Sequence, residues 1–547
     1  MFSTQNIFSV ALIVFAGLVL ITYQYDLNLA PEFHLYFIQM ILLWCALKII
    51  YLLLPKCKML VLVALLIWGV VEAVWGLGQL YGYFPTKHTL FKTTGSFFNP
   101  GPYGGFIAMV IPINLHLWLS YKRKKKWLSY VFFVAGMVCL LVLPATLSRT
   151  AWIAAIIGCI LVLLGEKRII IKMRDYWKRY KKRHTLFIFG LCLFTALSVY
   201  GIYHLKKDSA DGRLFMWKIT TLAILEAPLK GTGLGGFPSS YADAQISFFK
   251  SGKATTTEMQ VAGSPEYAFN EYLQVFLEQG PVGFLLFLLL TFLIIKSGIK
   301  NKQRGAAGGF LTLSVFAFAS YPYQLWQFPI AWVILGTVCT SNSVNFNTHS
   351  SHQSWKTVVP FLVILGGLVY GSISLASSHK VYRDAREEWK RLQPLYNMKS
   401  YESVAESYAT LYRILNYEPK FVFEHGVILN AMGKLEEANR VLARGIEKSC
   451  DPMFLNVRGR NYHEMGNYHK AEQCFHNSLL LLPGRVYPYY LLVKLYADPA
   501  YHQPDKMQET ARIALKMEPK IYSMAIEEMR NEIRKIMHEK EGEREEL

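Results

Sequence analysis

Long runs of apolar residues constrain this chain more than any other feature of its sequence. Each run is roughly 16–24 residues long, which is the length that an α-helix needs to cross the hydrocarbon core of a bilayer. Backbone polar groups must be satisfied within lipid, so the runs are expected to be helical. The sequence therefore predicts an all-α, polytopic membrane protein with about eleven spans. The spans begin near Phe8, His34, Met59, Tyr103, Trp127, Ala151, Thr185, Pro281, Ala306, Ile330 and Val358.

The basic residues predict the orientation of these spans. The formal net charge of +20 would suggest a nucleic-acid partner in a soluble protein. Here Lys and Arg concentrate in alternate loops, which the positive-inside rule places in the cytoplasm. We therefore expect a cytoplasmic N-terminus, a membrane domain over residues 1–379 and a large outer-face loop over residues 205–279. The eight cysteines have no CxxC pair and no zinc spacing, so neither a metal site nor redox chemistry is indicated.

Residues 380–547 differ in character, being polar and charged with a helical pattern. Residues 433–438 (GKLEEA) match residues 466–471 (GNYHKA), 33 positions further on. This self-match resembles the tetratricopeptide repeat, in which helix–turn–helix units stack on one another. A generic array of helical hairpins would give the same pattern. Either array makes a concave binding surface and performs no chemistry, so we expect an extracytoplasmic domain that binds an acceptor or another partner.

Two turns in the predicted outer-face loops carry candidate binding residues. Residues 94–105 are rich in Gly and Pro and contain Asn99, so their backbone is expected to form turns rather than a regular helix or strand. A re-entrant turn without a ligand would have the same composition. The second turn, residues 148–152 (SRTAW), contains Arg149. Its guanidinium could bind an anionic group in bidentate fashion, or it could extend towards lipid headgroups.

Two longer outer-face stretches complete the set. Residues 211–218 contain Arg213 and Lys218, and a glycine-rich loop follows that fits neither the Walker nor the Rossmann pattern. Residues 264–280 form a polar segment that leads into a span and contains Glu266, Asn270 and Glu271. At helical spacing Glu266 and Asn270 share one face and Glu271 points away from it. The solvated first turn of an amphipathic helix is the alternative interpretation.

Together and in this order, the four stretches resemble the O-antigen ligase and O-antigen polymerase superfamily, which includes bacterial O-linked oligosaccharyltransferases. The resemblance covers roughly residues 90–335 and rests on four sequences: GSFFNP from residue 95, SRTAW from residue 148, GRLFMWK from residue 212 with the following glycine-rich loop, and NEYLQVFLEQG from residue 270. It implies a metal-independent, inverting glycosyltransferase of the bacterial cytoplasmic membrane that needs no cofactor. The donor would be a polyprenyl diphosphate-linked glycan, and the acceptor a hydroxyl of a lipid or protein.

The resemblance also implies residue roles. Arg149 and Arg213 would hold the diphosphate, whose charge grows as the glycosidic bond breaks. Asn99 and Lys218 are expected near the substrate, and Asn270 and a neighbouring carboxylate at the reacting centre. The family's histidine base precedes the asparagine, but this chain has Phe269 there. Glu266 is the preferred replacement, because we expect it to share a face with Asn270 and a carboxylate at a dry membrane face would have a raised pKa. Glu271, His88 or the absence of any base are the alternatives.

Three further functions fit parts of the sequence. A polymerase would extend the glycan on its own carrier, and a non-catalytic scaffold would explain the missing histidine. The retained arginines and Asn270 argue against the scaffold. A transporter would require ionisable residues within its spans, and Glu72 is the main example.

Overall fold

The computed structural model describes residues 4–22, 33–122, 124–166, 171, 207–227, 229–341, 351–519 and 522–545. Within these ranges every regular element is helical, which confirms the predicted all-α fold. Five helices are long and apolar enough to cross a membrane, and three shorter apolar helices accompany them. The protein is therefore a multi-pass membrane protein. The span predicted from Thr185 lies outside the described residues.

The membrane part consists of two groups of helices. The first group is α1 (Thr4–Thr22), α2 (Phe33–Leu53), α3 (Cys57–Leu80), α4 (Pro100–Tyr121), α5 (Lys126–Val142) and α6 (Arg149–Leu164). Between the groups lie three helices of the large loop, α7 (Lys207–Glu226), α8 (Phe237–Lys250) and α9 (Thr256–Val261). The second group is α10 (Glu271–Lys300), α11 (Arg304–Ala317), α12 (Gln327–Thr340) and α13 (Ser351–Ser378). Each span start that falls within the described residues lies in one of these helices.

Small residues bring α4, α6 and α11 together at the centre of the membrane part. A Cβ built on Gly158 of α6 would lie 2.6 Å from the backbone oxygen of Gly308 in α11. A Cβ on Gly309 would lie 3.0 Å from the backbone oxygen of Met109 in α4. Since lipid offers no hydrophobic drive for helix association, close backbone approach through small residues is the usual source of such packing. This packed core supports the turns that precede α4 and α6.

The polar tail is a series of antiparallel helices. They are α14 (Lys380–Asn397), α15 (Tyr401–Leu415), α16 (Pro419–Ala431), α17 (Leu435–Ile446), α18 (Met453–Glu464), α19 (Tyr468–Leu481), α20 (Val486–Ala497), α21 (Pro504–Lys516) and α22 (Met524–Glu545). We call this helical array, residues 380–545, the repeat domain. Its boundaries and its membership of the tetratricopeptide family stay predictions.

The 33-residue spacing seen in the sequence recurs in the packing of the repeat domain. In one unit, Gly426 of α16 lies against Leu442 of α17, where an added Cβ would approach to 2.5 Å. In the next unit, Gly459 of α18 lies against Phe475 of α19, where an added Cβ would approach to 2.4 Å. Two successive helix–turn–helix units therefore use the same small-to-large contact at equivalent positions.

The repeat domain touches the large loop. The side-chain amide of Gln245 in α8 donates a hydrogen bond to the backbone oxygen of Leu481 in α19. Leu482 is buried in the same apolar cluster as Phe215, Phe237 and Tyr241 of the loop. Because such contacts cannot form across a bilayer, the loop and the repeat domain lie on the same side of the membrane.

Candidate functional site

The polar segment that precedes α10 is not a helix, contrary to expectation. Residues 262–270 have irregular backbone, and α10 begins at Glu271 with Asn270 as its N-cap. The Asn270 side-chain oxygen accepts hydrogen bonds from the backbone N–H groups of Tyr272 (3.0 Å) and Leu273 (3.2 Å). The prediction that Glu266 and Asn270 share a helical face is therefore wrong. Asparagine strongly favours this cap position, which requires non-helical backbone.

Phe269 stands in an unusual conformation at the position of the expected histidine. Its φ of 50° lies in the left-handed region, where bulky residues are rare. The Phe269 ring faces the guanidinium of Arg213, with 5.8 Å between the guanidinium carbon and the ring centroid. Such strain is usually kept where the surroundings hold a residue for a purpose. Here the strained backbone places an aromatic face against a candidate substrate-binding arginine.

Arg213 and Arg149 are brought together from different parts of the chain. Arg213 lies in α7 of the large loop, and Arg149 is the first residue of α6. Burial lowers the pKa of Arg213, and the nearby positive charge of Arg149 lowers it further. Guanidinium groups carry a permanent positive charge in proteins. Two cations within electrostatic range, at the positive end of a helix, form a site suited to an anionic group.

Tyr321 connects these residues and was missed by sequence reasoning. Its ring stacks on Tyr267, with centroids 5.4 Å apart, and meets Phe269 edge-on at 4.7 Å. Burial raises the pKa of the Tyr321 hydroxyl; the charge of Arg213 opposes that effect and the charge of Glu266 adds to it. Tyr321 thus interacts with both the arginine pair and the candidate base. The only signal in the sequence is the Tyr-Pro-Tyr run at residues 321–323, in a predicted outer-face loop.

The two candidate carboxylates occupy different environments. Glu266 is exposed, so it does not have the dry setting that we expected for a base. Glu271 is buried, and its carboxylate accepts a hydrogen bond of 2.8 Å from the backbone N–H of Tyr323. Glu271 therefore ties the start of α10 to the turn that carries Tyr321. This geometry suits an anchoring role for Glu271 and leaves Glu266 free to meet a substrate.

The glycine-rich loop is held against the kink of α10. The backbone N–H of Gly233 donates to the Glu278 backbone oxygen at 2.9 Å, and a Cβ on Gly231 would lie 2.4 Å from that same oxygen. The kink is at Gly280, where φ is 67° and an added Cβ would lie 2.1 Å from the Leu229 backbone oxygen. The buried Glu278 carboxylate accepts hydrogen bonds from backbone N–H groups at the start of α8. These glycines allow close backbone approach, and the loop joins α7 and α8 to the candidate site.

Hydrogen bonds to α3 hold the turn before α4 in place. The Glu72 carboxylate accepts hydrogen bonds from the backbone N–H of Ser96 (2.9 Å) and from the Ser96 hydroxyl (2.6 Å). Asn99 caps α4 by accepting a 2.9 Å hydrogen bond from the Gly101 N–H. Glu72, the residue that suggested a transporter, therefore holds a turn.

His88 accepts a hydrogen bond from the Leu90 N–H at 3.0 Å and its ring lies near Phe91 and Phe98.

Lys218 has a partner of its own within the large loop. Its ammonium lies 2.6 Å from the Glu258 carboxylate and 4.3 Å from the centroid of the Phe248 ring. Glu258 also completes a capping box with Thr255 at the start of α9. Lys218 therefore joins α7 to α9, and its proximity to substrate stays a prediction.

Contacts join all four motifs. Gly104 of α4 packs against Thr146 and Ser148, which precede Arg149. Arg149 interacts with Arg213, which faces Phe269. Residues 135–288 match the family model described as O-antigen ligase. This part of the chain is similar to O-antigen ligase domains. The matched residues include Arg149, Arg213 and the segment from Glu266 to Gly280, whereas the turn at Asn99 precedes them.

A relative with a similar domain is the "Putative polysaccharide ligase" of Rickettsia conorii. It is 28% identical to this chain over 139 residues. The match covers 24% of this chain and 31% of the relative, so the chain spans less than a third of that protein's length. The resemblance to the O-antigen ligase superfamily, which the motifs predicted, is confirmed over residues 135–288. The superfamily also implies an enzyme that transfers glycosyl groups.

Proposed function

We propose that this protein transfers a glycan from a polyprenyl diphosphate carrier to an acceptor hydroxyl at the outer face of the bacterial cytoplasmic membrane. The observation that carries the proposal is the convergence of Arg149, Arg213 and Phe269 within the residues that match the O-antigen ligase model, with Tyr321 packed against Phe269. A pair of arginines suits a diphosphate, because guanidinium groups bind phosphate oxygens in bidentate fashion and stay charged. The acceptor is a lipid or a protein, as in lipopolysaccharide assembly or protein glycosylation.

In the proposed step, the acceptor oxygen attacks the anomeric carbon from the side opposite the diphosphate. The bond between that carbon and the diphosphate oxygen breaks, and its electron pair leaves with the diphosphate. Arg149 and Arg213 stabilise the negative charge that develops there, so no divalent metal is required. The proton of the acceptor hydroxyl passes to the Glu266 carboxylate. Attack from the opposite side inverts the configuration of the transferred sugar.

Phe269 has a role in this step that histidine would not have. Its ring covers one side of the Arg213 guanidinium and shields it from water, with 5.8 Å between the guanidinium carbon and the ring centroid. A desolvated cation interacts more strongly with a developing negative charge than a solvated one does. The chain thus compensates for the absent base by strengthening stabilisation of the leaving group, and it relies on the exposed Glu266 for proton removal.

The test is transfer by the purified full-length protein in lipid nanodiscs. The donor is a polyprenyl diphosphate-linked oligosaccharide, and the acceptor is the unglycosylated acceptor fraction of a deletion strain. Arg213→Ala should reduce transfer at least about a hundredfold, because removal of one preorganised donor to a developing anion costs that much. Lys250→Ala, which removes an exposed cation at the end of α8, is the matched control and should leave transfer unchanged.

Two outcomes would contradict the proposal. Equal activity of Arg213→Ala and Lys250→Ala would exclude the arginine pair from the reaction. Products that consist only of lengthened carrier-linked glycan, with nothing on the acceptor, would assign the protein as a polymerase. Full transfer by Glu266→Gln would remove Glu266 as the base without affecting the rest of the mechanism.

A further inference from the structure

A cavity of about 2040 Å³ connects the membrane part with the repeat domain. Between the first two helices and α10 it is lined by the apolar residues Phe8, Leu12, Phe15, Phe37, Met40 and Trp44, and elsewhere in the membrane part also by polar residues such as Lys48, Lys300 and Asn301. Its volume exceeds the ~300–1,000 Å³ typical of sites for small molecules. The cavity is therefore large enough for a ligand that has both a polar portion and an apolar anchor.

The outer end of the cavity, which we call the mouth, has two walls. One wall is the irregular segment before α10, represented by Ser264, Glu266 and Tyr267. The opposite wall belongs to the repeat domain and consists of residues 417–420, residues 448–451 and Arg485. Arg149 and Arg213, both of which are described, do not line this cavity. The segment from Glu266 to Phe269 thus borders both places, the mouth through Glu266 and the arginine pair through Phe269.

The repeat domain is fixed directly to this segment. The Cys450 thiol donates a hydrogen bond of 3.0 Å to the backbone oxygen of Pro265. The fully buried Gln245 donates both to the Gly263 backbone oxygen and to the Leu481 backbone oxygen. Two points of attachment therefore lie immediately before Glu266. The repeat domain is therefore part of the candidate site, because it is attached to the segment that carries Glu266.

The chemistry of the mouth favours a hydroxyl-rich ligand. The exposed charged residues of the mouth are two cations, Lys420 and Arg485, and two carboxylates, Glu266 and Asp451. A charged polymer would call for one dominant sign of charge, which the mouth does not have. Such a lining offers both hydrogen-bond donors and acceptors, which sugar hydroxyls require. Tyr267 and Tyr417 add two aromatic side chains, one on each wall.

We propose that the mouth binds the carbohydrate portion of the acceptor, and that the repeat domain supplies its second wall. This inference rests on the proposed glycan transfer. The acceptor sugar lies beside Glu266, and the diphosphate is bound by the arginine pair beside Phe269, at the other end of the same segment. The exposed Arg485 donates hydrogen bonds to the acceptor, and the apolar part of the cavity holds the acceptor's anchor.

The first test is photo-crosslinking in cells with the full-length protein. A p-benzoylphenylalanine residue replaces Arg485 in the mouth or, as a control, the exposed Arg512 of α21, which does not line the cavity. Each is also placed in the Arg213→Ala background, so that capture does not depend on transfer. Adducts are probed by periodate oxidation and hydrazide labelling for carbohydrate, and by mass spectrometry for protein.

Carbohydrate adducts at position 485 and not at position 512, in both backgrounds, would support the site. Adducts with protein or with lipid that lacks sugar, or an absence of adducts at position 485, would overturn it. If purified protein shows no transfer while carbohydrate adducts persist, the proposed function fails and the binding site stands. The two proposals are therefore distinguishable.

The second test is kinetic. Arg485→Ala should raise the KM for the acceptor about tenfold, as expected for loss of a hydrogen bond from a charged donor, and leave the KM for the donor glycan unchanged. Arg512→Ala should alter neither constant. Equal acceptor constants for the two variants, or an equal rise in both constants of Arg485→Ala, would overturn the assignment. Thermal stability in detergent verifies that each variant is folded.

Discussion

Replacement of Glu271 separates two roles that a buried carboxylate can have in this site. As a base, it would need its charge, and both Gln and Ala would abolish its function. As an anchor, it needs only an oxygen that accepts the 2.8 Å hydrogen bond from the Tyr323 N–H. Glutamine provides such an oxygen on a side chain of the same shape, whereas alanine does not.

The structure sets the magnitude of the effect. In Glu271→Ala, the Tyr323 N–H loses its acceptor in a partly buried setting, which costs up to about 1–3 kcal/mol. A free-energy change of this size raises the population of the displaced conformation of the turn, relative to the native one, about 5- to 150-fold. Tyr321 moves with the turn and loses its contacts with Tyr267 and Phe269. We therefore expect transfer to fall by up to that factor in Glu271→Ala and by less than about threefold in Glu271→Gln.

The assay is the initial rate of glycan transfer by purified Glu271→Ala, Glu271→Gln and Glu266→Gln proteins, at equal amounts of folded protein. The expected order of activity is wild type, Glu271→Gln and then Glu271→Ala. Complete loss of transfer in Glu271→Gln, with unchanged thermal stability, would refute the anchoring role and identify Glu271 as the base. An active Glu266→Gln variant in the same series would strengthen that conclusion.

Three further predictions concern the surroundings of the site. Tyr321→Ala should reduce transfer about tenfold, because it removes two aromatic pairs worth roughly 0.5–1.5 kcal/mol each. Tyr321→Phe should retain most activity, and equal losses in the two variants would assign the effect to the hydroxyl. Gly280→Ala should lower thermal stability in detergent more than Gly252→Ala, because both residues have positive φ (67° and 69°) but only Gly280 has neighbours within 4 Å of an added Cβ. Equal losses would contradict the steric argument. Burial raises the pKa of Glu472, but hydrogen bonds from Lys506, Tyr496 and Tyr501 outweigh burial and lower it to about 2. Glu472 should therefore stabilise the repeat domain fully above pH 4.5, its ordinary pKa, and progressively less as the pH falls towards 2. Hydrogen exchange of the backbone amides in α19–α21 of wild type and Glu472→Gln measures this pH dependence. Identical pH profiles for the two proteins would contradict the prediction.

The sequence was sufficient to predict helices in the apolar runs and to find the four motifs. Apolar length fixes where helices cross lipid, and each described span start lies in a helix. The motif order also led to Arg149 and Arg213, whose proximity the structure describes. Both results depend on local pattern or on resemblance, and neither requires knowledge of distant contacts.

Other features of the site depend on tertiary contacts and could not be read from local pattern. The sequence spacing allowed Asn270 to lie inside a helix that also contains Glu266. In the structure Asn270 is the N-cap of α10, so Glu266 lies in the irregular segment before the helix and the two residues share no helical face. Tyr321 carries no motif, because its importance comes from Tyr267 and Phe269, about fifty residues earlier. The role of Glu271 follows from one hydrogen bond to Tyr323, whose position no periodicity predicts.

The contact between the large loop and the repeat domain also constrains the topology between them. The two regions lie on the same side of the membrane, because Gln245 bonds to Leu481 and Cys450 to Pro265. The chain must therefore cross the bilayer an even number of times between Gly280 and the start of α14. Among the described residues of that interval there are four α-helices, α10 to α13. α11 and α12 have only 14 residues each, a length of about 21 Å, which is shorter than a bilayer core of about 30 Å. If α10 and α13 cross, parity requires that α11 and α12 both cross or both do not. Their burial among α4, α6 and α2 favours crossing, with the protein rather than lipid satisfying the ends of these short helices.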